Sequence, residues 1–244
     1  MPSKTSLTKA LLAKAESHGG IRAGIVRLQA VLKSPSYETA AAEPGGPDGS
    51  DSGRIVDWPA EAQTVLTLGL HHPESDPQLD WWDGGDTLGN RRLRAISDSL
   101  TKWLRENCGV KAYPLPYDVE KEGLFLKDAA VLCGIGIIGR NNLLLHSQWG
   151  PRIRLRSILL EGEFQDSAPL EGFSPCETCG GFCQKTCPVN AFPRETYRRA
   201  ICAQQMAADF ENSAADGEYA ADGQRHSAIK YCRACELSCP VGAP

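Results

Sequence analysis

Eight of the ten cysteines in this 244-residue chain lie between residues 176 and 239. That crowding constrains the fold more than any other feature, because thiols so dense are bonded either to one another or to metal. The first twenty residues are amphipathic, with Lys and Glu interspersed. They contain neither the apolar core and cleavage site of a secretory signal nor a twin-arginine pair. The expectation is a cytoplasmic protein, where a reducing environment makes clustered cysteines metal ligands before disulfides.

The spacing narrows the metal. One run is Cys176-x2-Cys179-x3-Cys183-x3-Cys187-Pro188; the other is Cys232-x2-Cys235-x3-Cys239-Pro240, with Cys202 upstream of it. Each ends in Cys-Pro, the mark of bacterial ferredoxin ligation, in which the cysteine before proline serves the other of two 4Fe–4S clusters. That crossover assigns Cys176, Cys179, Cys183 and Cys239 to one cluster, and Cys202, Cys232, Cys235 and Cys187 to the second. Ferredoxins usually have two residues where Gly180, Gly181 and Phe182 stand here, and glycines absorb the extra residue without strain. Four-cysteine zinc sites also use C-x2-C pairs, but need neither Cys-Pro endings nor a crossover. Cys108 and Cys133 lie outside the framework and read as ordinary buried or semi-buried thiols.

The rest of the chain has the 41% hydrophobic and 23% charged residues of a globular core-forming protein. No run approaches the ~18 to 20 apolar residues of a membrane span. Helix is expected at 6–17, strand or strand-into-helix at 22–32, an exposed loop at 34–53, and a buried strand at 63–71. Leu93, Ile96, Leu100, Trp103 and Leu104 form a core-facing helical stripe that Gly109 stops. A short strand at 111–116 and a helix ending near Cys133 follow. Strands are expected near 143–145 and at 152–160, the latter half-buried with Arg152, Arg154 and Arg156 on one charged face. The domains are therefore 1–165, mixed α/β, and 174–244, held by cysteines.

Gly134, Gly136 and Gly139 match G-x-G-x-x-G, but helix precedes them and strand and turn follow, the reverse of the dinucleotide-binding context. The bland reading is a helix C-terminus with a tight turn; Arg140-Asn141-Asn142 directly after it suggests a ligand loop. His71-His72 at a strand end and His146 after the loop are candidate contacts. Trp81 and Trp82 read as packing residues. No Ser-His-Asp or paired-carboxylate hydrolase constellation is present.

The stretch AAVLCGIGIIGRNNLLLHSQWGPRIRLRSILLEGEF (129–164), followed by the cysteine runs, resembles the epoxyqueuosine reductases, relatives of the reductive dehalogenases. In those a GLGWIGKNTLL-type loop precedes the same two runs. Residues 54–73 also resemble the start of that family's cofactor domain. The resemblance implies an α+β chain: a nitroreductase-like mixed α/β domain that binds cobalamin base-off, then a small bacterial-ferredoxin-like two-cluster domain. It implies that Gly134, Gly136, Gly139, Arg140, Asn141 and His146 line the corrin. It also implies an acidic proton donor fourteen positions before Gly134, which is Glu120, with Asp118 nearby. The implied function is an oxidoreductase passing single electrons through two clusters to cobalamin, which reduces a small molecule or a corrinoid protein. A cobalamin-free two-cluster carrier and an epoxyqueuosine reductase acting on tRNA are the alternatives. The partner is expected to be a redox protein: a ferredoxin, a flavodoxin or a corrinoid protein. The net charge of −4 and the end of the chain at Pro244, where tRNA-binding members carry further sequence, argue against nucleic acid; the acidic balance also argues against an anionic membrane surface.

Overall fold

The structure is a computed structural model and describes residues 3–42, 58–215, 218–219, 225–226 and 228–243. Helix α1 (Lys4–Glu16) opens on Ser3, whose side chain accepts from the Ser6 amide, as an N-cap does. It buries Thr8, Leu11 and Ala15. Strand β1 (Ile21–Arg27) runs into the short helix α2 (Leu28–Val31), and α3 (Pro35–Ala42) follows. Strand β2 (Ala62–His71) and the two-residue strands β3 (Trp82–Asp83) and β4 (Asp86–Thr87) precede the long helix α4 (Leu88–Cys108). Next come β5 (Ala112–Pro114), α5 (Leu126–Leu132), β6 (Ile137–Ile138), β7 (Leu144–Leu145) and β8 (Ile153–Glu161). The cysteine-rich segment supplies α6 (Phe182–Lys185), α7 (Arg199–Ala215), β9 (Glu218–Tyr219), β10 (Arg225–His226) and α8 (Ala234–Leu237).

The chain divides into two compact, interleaved units. The first comprises Met1–His71, Leu93–Ile137 and Arg154–Phe173. Its four-stranded sheet has the order β1-β2-β8-β5, with β1 antiparallel to β2 and β5 antiparallel to β8. Leu66, Leu68 and Leu70 of β2 and Ile158 and Leu160 of β8 meet the α4 stripe of Leu93, Ile96, Leu100 and Leu104 in one core. At the centre of β1 a side chain is excluded. A Cβ on Gly24 would lie 2.4 Å from the Cys133 carbonyl oxygen, so glycine permits α5 to pack there.

The second unit comprises His72–Arg92, Ile138–Ile153 and Ser174–Pro244. It therefore contains more chain than the expected 174–244 segment, and hydrogen bonds explain why. Trp82 and Ile229 exchange backbone bonds of 3.0 and 2.8 Å, and the Arg152 guanidinium donates to the Val241 carbonyl at 3.2 Å. Trp81 and Trp82 pack here as well: Lys230 sits over the Trp81 ring at 4.4 Å, and Trp82 meets Tyr231 edge-on.

Two local expectations are corrected. Residues 35–42 are helix rather than exposed loop, because Pro35 suits a first helical turn and Asp128 accepts from both the Ser36 amide and hydroxyl at 3.0 Å. Residues 43–53 of that expected loop lie outside the described residues. Strand β8 is buried on both faces rather than half-buried, and Arg152 and Arg156 are themselves buried. The alternation of Arg with aliphatic residues mimicked a solvated face, but Arg152 is buried with Glu74 and the Val241 carbonyl as its acceptors.

Candidate metal centre

Within the second unit, Cys176, Cys179 and Cys183 from the first run and Cys239 from the second line one cavity of about 470 Å³. The backbone explains how. Gly181 has φ 69°, a left-handed turn that starts α6 and swings Cys183 inward. The three residues between Cys179 and Cys183 are thus accommodated by a turn that favours glycine. At the far end, the chain after Cys239-Pro240 presses against the 148–150 turn. A Cβ on Gly150 would come within 1.8 Å of the Val241 oxygen, and one on Gly242 within 2.3 Å of the Trp149 carbonyl carbon. Glycine at both positions lets the two backbones meet directly after Cys239-Pro240.

The remaining four cysteines also come together. Cys232 lies within electrostatic reach of Cys202 and Cys187, and Cys235 within reach of Cys202 and Cys232. Cys187 Sγ accepts from the Ala191 amide at 3.2 Å, so its lone pairs are already oriented by backbone. Burial first, and then neighbouring negative charge (thiolates, and at Cys232 the Asp209 carboxylate ahead of them), push the thiols of Cys183, Cys232, Cys235 and Cys239 up, that of Cys235 to about 12. Thiols gathered this way do not ionise together without added positive charge. A metal supplies that charge and releases the protons, so the donor set fits metal ligation.

A buried ion network pins the second run. Arg233 Nε donates to the Glu236 carboxylate (3.2 Å to each oxygen) and lies 3.1 Å from Asp80 as an ion pair, and its Nη2 meets His72 Nδ1 at 3.1 Å. Burial holds the Glu236 carboxyl above the usual carboxylate range, although Arg233 pulls the other way. His72, Asp80 and Glu236 have the composition of a metal site. The guanidinium, however, already bonds to all three and supplies the positive charge there. Arg152 forms a companion pair with Glu74. Sequence reading missed Arg233 and Glu236. Their signal was present as an oppositely charged pair three residues apart, inside a cysteine run that is helical there.

The glycine-loop residues have partners of their own. A Cβ on Gly134 would lie 2.2 Å from the Ala168 oxygen, and one on Gly139 2.6 Å from Leu145 Cδ1. Gly136 is buried. Asn141 is buried too, donating to the Cys235 carbonyl at 3.3 Å and accepting from the Leu143 amide at 3.2 Å. Together with Arg140 it borders the first cysteine cavity. His146 stacks on Trp149, with centroids 4.3 Å apart, and its Nδ1 accepts from the amides of Gln148 and Trp149. His71, at the end of β2, has its amide bonded to the Gly20 carbonyl. Asp118 pairs with Lys121 at 3.0 Å at a short helical turn, Val119–Lys121; the Glu120 side chain lies outside what is described. Cys133 is buried and Cys108 partly buried.

No family model matches the chain, and no curated protein matches it in sequence. Solved structures do match. An epoxyqueuosine reductase from Bacillus subtilis superposes with a TM-score of 0.68 at 16% identity, covering 98% of this chain and 66% of that one. An epoxyqueuosine reductase with an epoxyqueuosine-modified tRNA stem loop gives 0.65 at 16%, over 98% and 66%. A reductive dehalogenase described for B12-dependent dehalogenation gives 0.62 at 16%, over 99% and 32%. The chain thus has the mixed α/β fold that these two kinds of reductase share. It spans just under two thirds of the length of the reductases and about a third of the dehalogenase. Among the described residues no helix is long and apolar enough to cross a membrane.

Proposed function

We propose that this chain is an iron–sulfur oxidoreductase whose eight cysteines hold two 4Fe–4S clusters and pass single electrons to a bound cobalamin. In this reading a nitroreductase-like part is followed in the chain by a ferredoxin-like one, and the substrate is a small molecule or a corrinoid protein. The observation that carries it is the convergence of Cys176, Cys179 and Cys183 with Cys239, which is distant in sequence, around one cavity. Two independent zinc sites, each built from its own run, do not require that crossover.

The chain's own residues would do three things. Each four-thiolate set would ligate and fix one cluster. The Arg233 network and the Ala191 amide hold ligand sulfurs and their loops in place, as outer partners do in metal sites. Apolar walls such as Leu145 and Val241 border the first cavity and limit water there. When bound, cobalamin would supply a metal that cycles through low oxidation states.

The six loop residues expected at the corrin do not, by themselves, make a contact set: Gly134, Gly139, Asn141 and His146 are engaged within the fold. That observation favours a second reading, a cobalamin-free two-cluster carrier. The use of tRNA by a structural neighbour supports a third, tRNA-directed reading only by analogy of fold. The test is anaerobic reconstitution followed by iron and sulfide analysis and by titration with cob(II)alamin under EPR. Eight irons per chain and a base-off spectrum support the reductase. Eight irons with an unchanged base-on spectrum leave the carrier, and zinc without iron refutes both.

A further inference from the structure

Of the ten cysteines, Cys232 alone is exposed, so solvent reaches the second thiol set. Cys202 belongs to that set and lies in the first turn of α7. From it, Cys202, Met206 and Phe210 recur every four residues and share one helical face. Met206 and Phe210 are 43% and 56% exposed. Moreover, no α7 residue of described burial is buried. Helices in proteins draw most of their stability from burying one face, and this one leaves its apolar stripe in water.

The approach to that stripe is basic. Residues 185–202 carry Lys185, Arg194, Arg198 and Arg199 against Glu195 alone, in a chain of net charge −4. All four cations are exposed. Farther along the helix stand Asp209, which accepts from the Cys232 amide at 2.7 Å, and Glu211. Exposed cations gathered in the chain that leads into an apolar stripe suit an acidic protein with an apolar contact patch. A nucleic-acid backbone instead calls for positive charge along the whole track.

We propose that this face of α7 is the docking surface for a small acidic single-electron carrier protein, which feeds the cluster held by Cys187, Cys202, Cys232 and Cys235. The inference rests on the cluster reading above. One electron passes: the carrier is oxidised by one equivalent, the cluster goes from its 2+ to its 1+ state, and no bond is made or broken.

The test uses the anaerobically reconstituted full chain, mixed in a stopped-flow instrument with pre-reduced plant-type ferredoxin while cluster bleaching is followed. Arg198→Glu/Arg199→Glu should lower the second-order rate at least about tenfold and flatten its dependence on salt. Met206→Ser/Phe210→Ser should lower the rate without changing the salt slope. Reduction by dithionite should be unaffected in both variants, showing that they are folded and loaded. Unchanged ferredoxin rates in iron-replete variants would overturn the proposal. So would intact ferredoxin rates accompanied by loss of binding to a tRNA stem loop measured in parallel. Wild-type protein without iron would instead refute the cluster reading and the docking surface with it.

Discussion

Replacing Arg233 by methionine removes a guanidinium shared by Asp80, Glu236 and His72. The side chains of Arg233, Asp80 and Glu236 are only 13, 16 and 10% exposed. At the protein surface such pairs contribute ~0–1 kcal/mol, because water replaces the lost partner. Here water does not, and Arg233→Met deprives two largely buried carboxylates of their nearest cation, at a cost of about 3–5 kcal/mol. For a chain of this size that corresponds to a fall of roughly 6–20 °C in Tm. The shell around Cys232 and Cys235 loosens at the same time, since Arg233 lies between them. The assay is an anaerobic thermal melt of the reconstituted protein, with iron release to a chelator followed alongside. Arg233→Met should melt lower and lose iron faster, and Arg233→Met/Glu236→Leu should recover part of both, because the double variant buries one charge fewer. A Tm change under about 2 °C would refute the reasoning, as that is the size of a surface pair. A double variant worse than the single would refute it as well.

Three further outcomes are expected. Gly24→Ala forces its Cβ to within 2.4 Å of the Cys133 carbonyl and 2.7 Å of its Sγ, and should cost about 1–3 kcal/mol in a thermal melt. Because the nearest atom is backbone, adding Cys133→Ala should restore little of that loss. Asp128→Ala deprives Ser36 of the acceptor for its amide and hydroxyl, and should cost about 1–2 kcal/mol in urea unfolding, with Ser36→Ala costing less. The Cys133 thiol, pushed by burial from 9.0 to about 12, should resist iodoacetamide at pH 8 in the native protein and react once unfolded. Its linkage has a definite sign: the folded state disfavours the thiolate, so stability falls as pH rises from about 9 toward 12, and Cys133→Ala should flatten that fall.

Spacing alone made the meeting of Cys239 with Cys176, Cys179 and Cys183 legible. The ligand count, the Cys-Pro endings and the predicted crossover are all local features, and each is written in a handful of consecutive residues. The helix of Leu93 to Leu104 and the strand at 62–71 were legible for the same reason, since a core-facing stripe has a period. Helix 35–42 was not, because what caps it, Asp128, lies 92 residues from Ser36 in sequence. The arginines of β8 misled because alternation records residue type, not what the far side of the strand meets. Nor did any local pattern show that segments 72–92 and 138–153 belong with the cysteines, or that the guanidinium of Arg233 would be gripped by His72 and Asp80. The sequence by itself determined the chemistry: which thiols exist, and at what spacing. The tertiary structure decided which distant partners meet them, because burying a charge or seating a glycine against another backbone depends on contacts no local window contains.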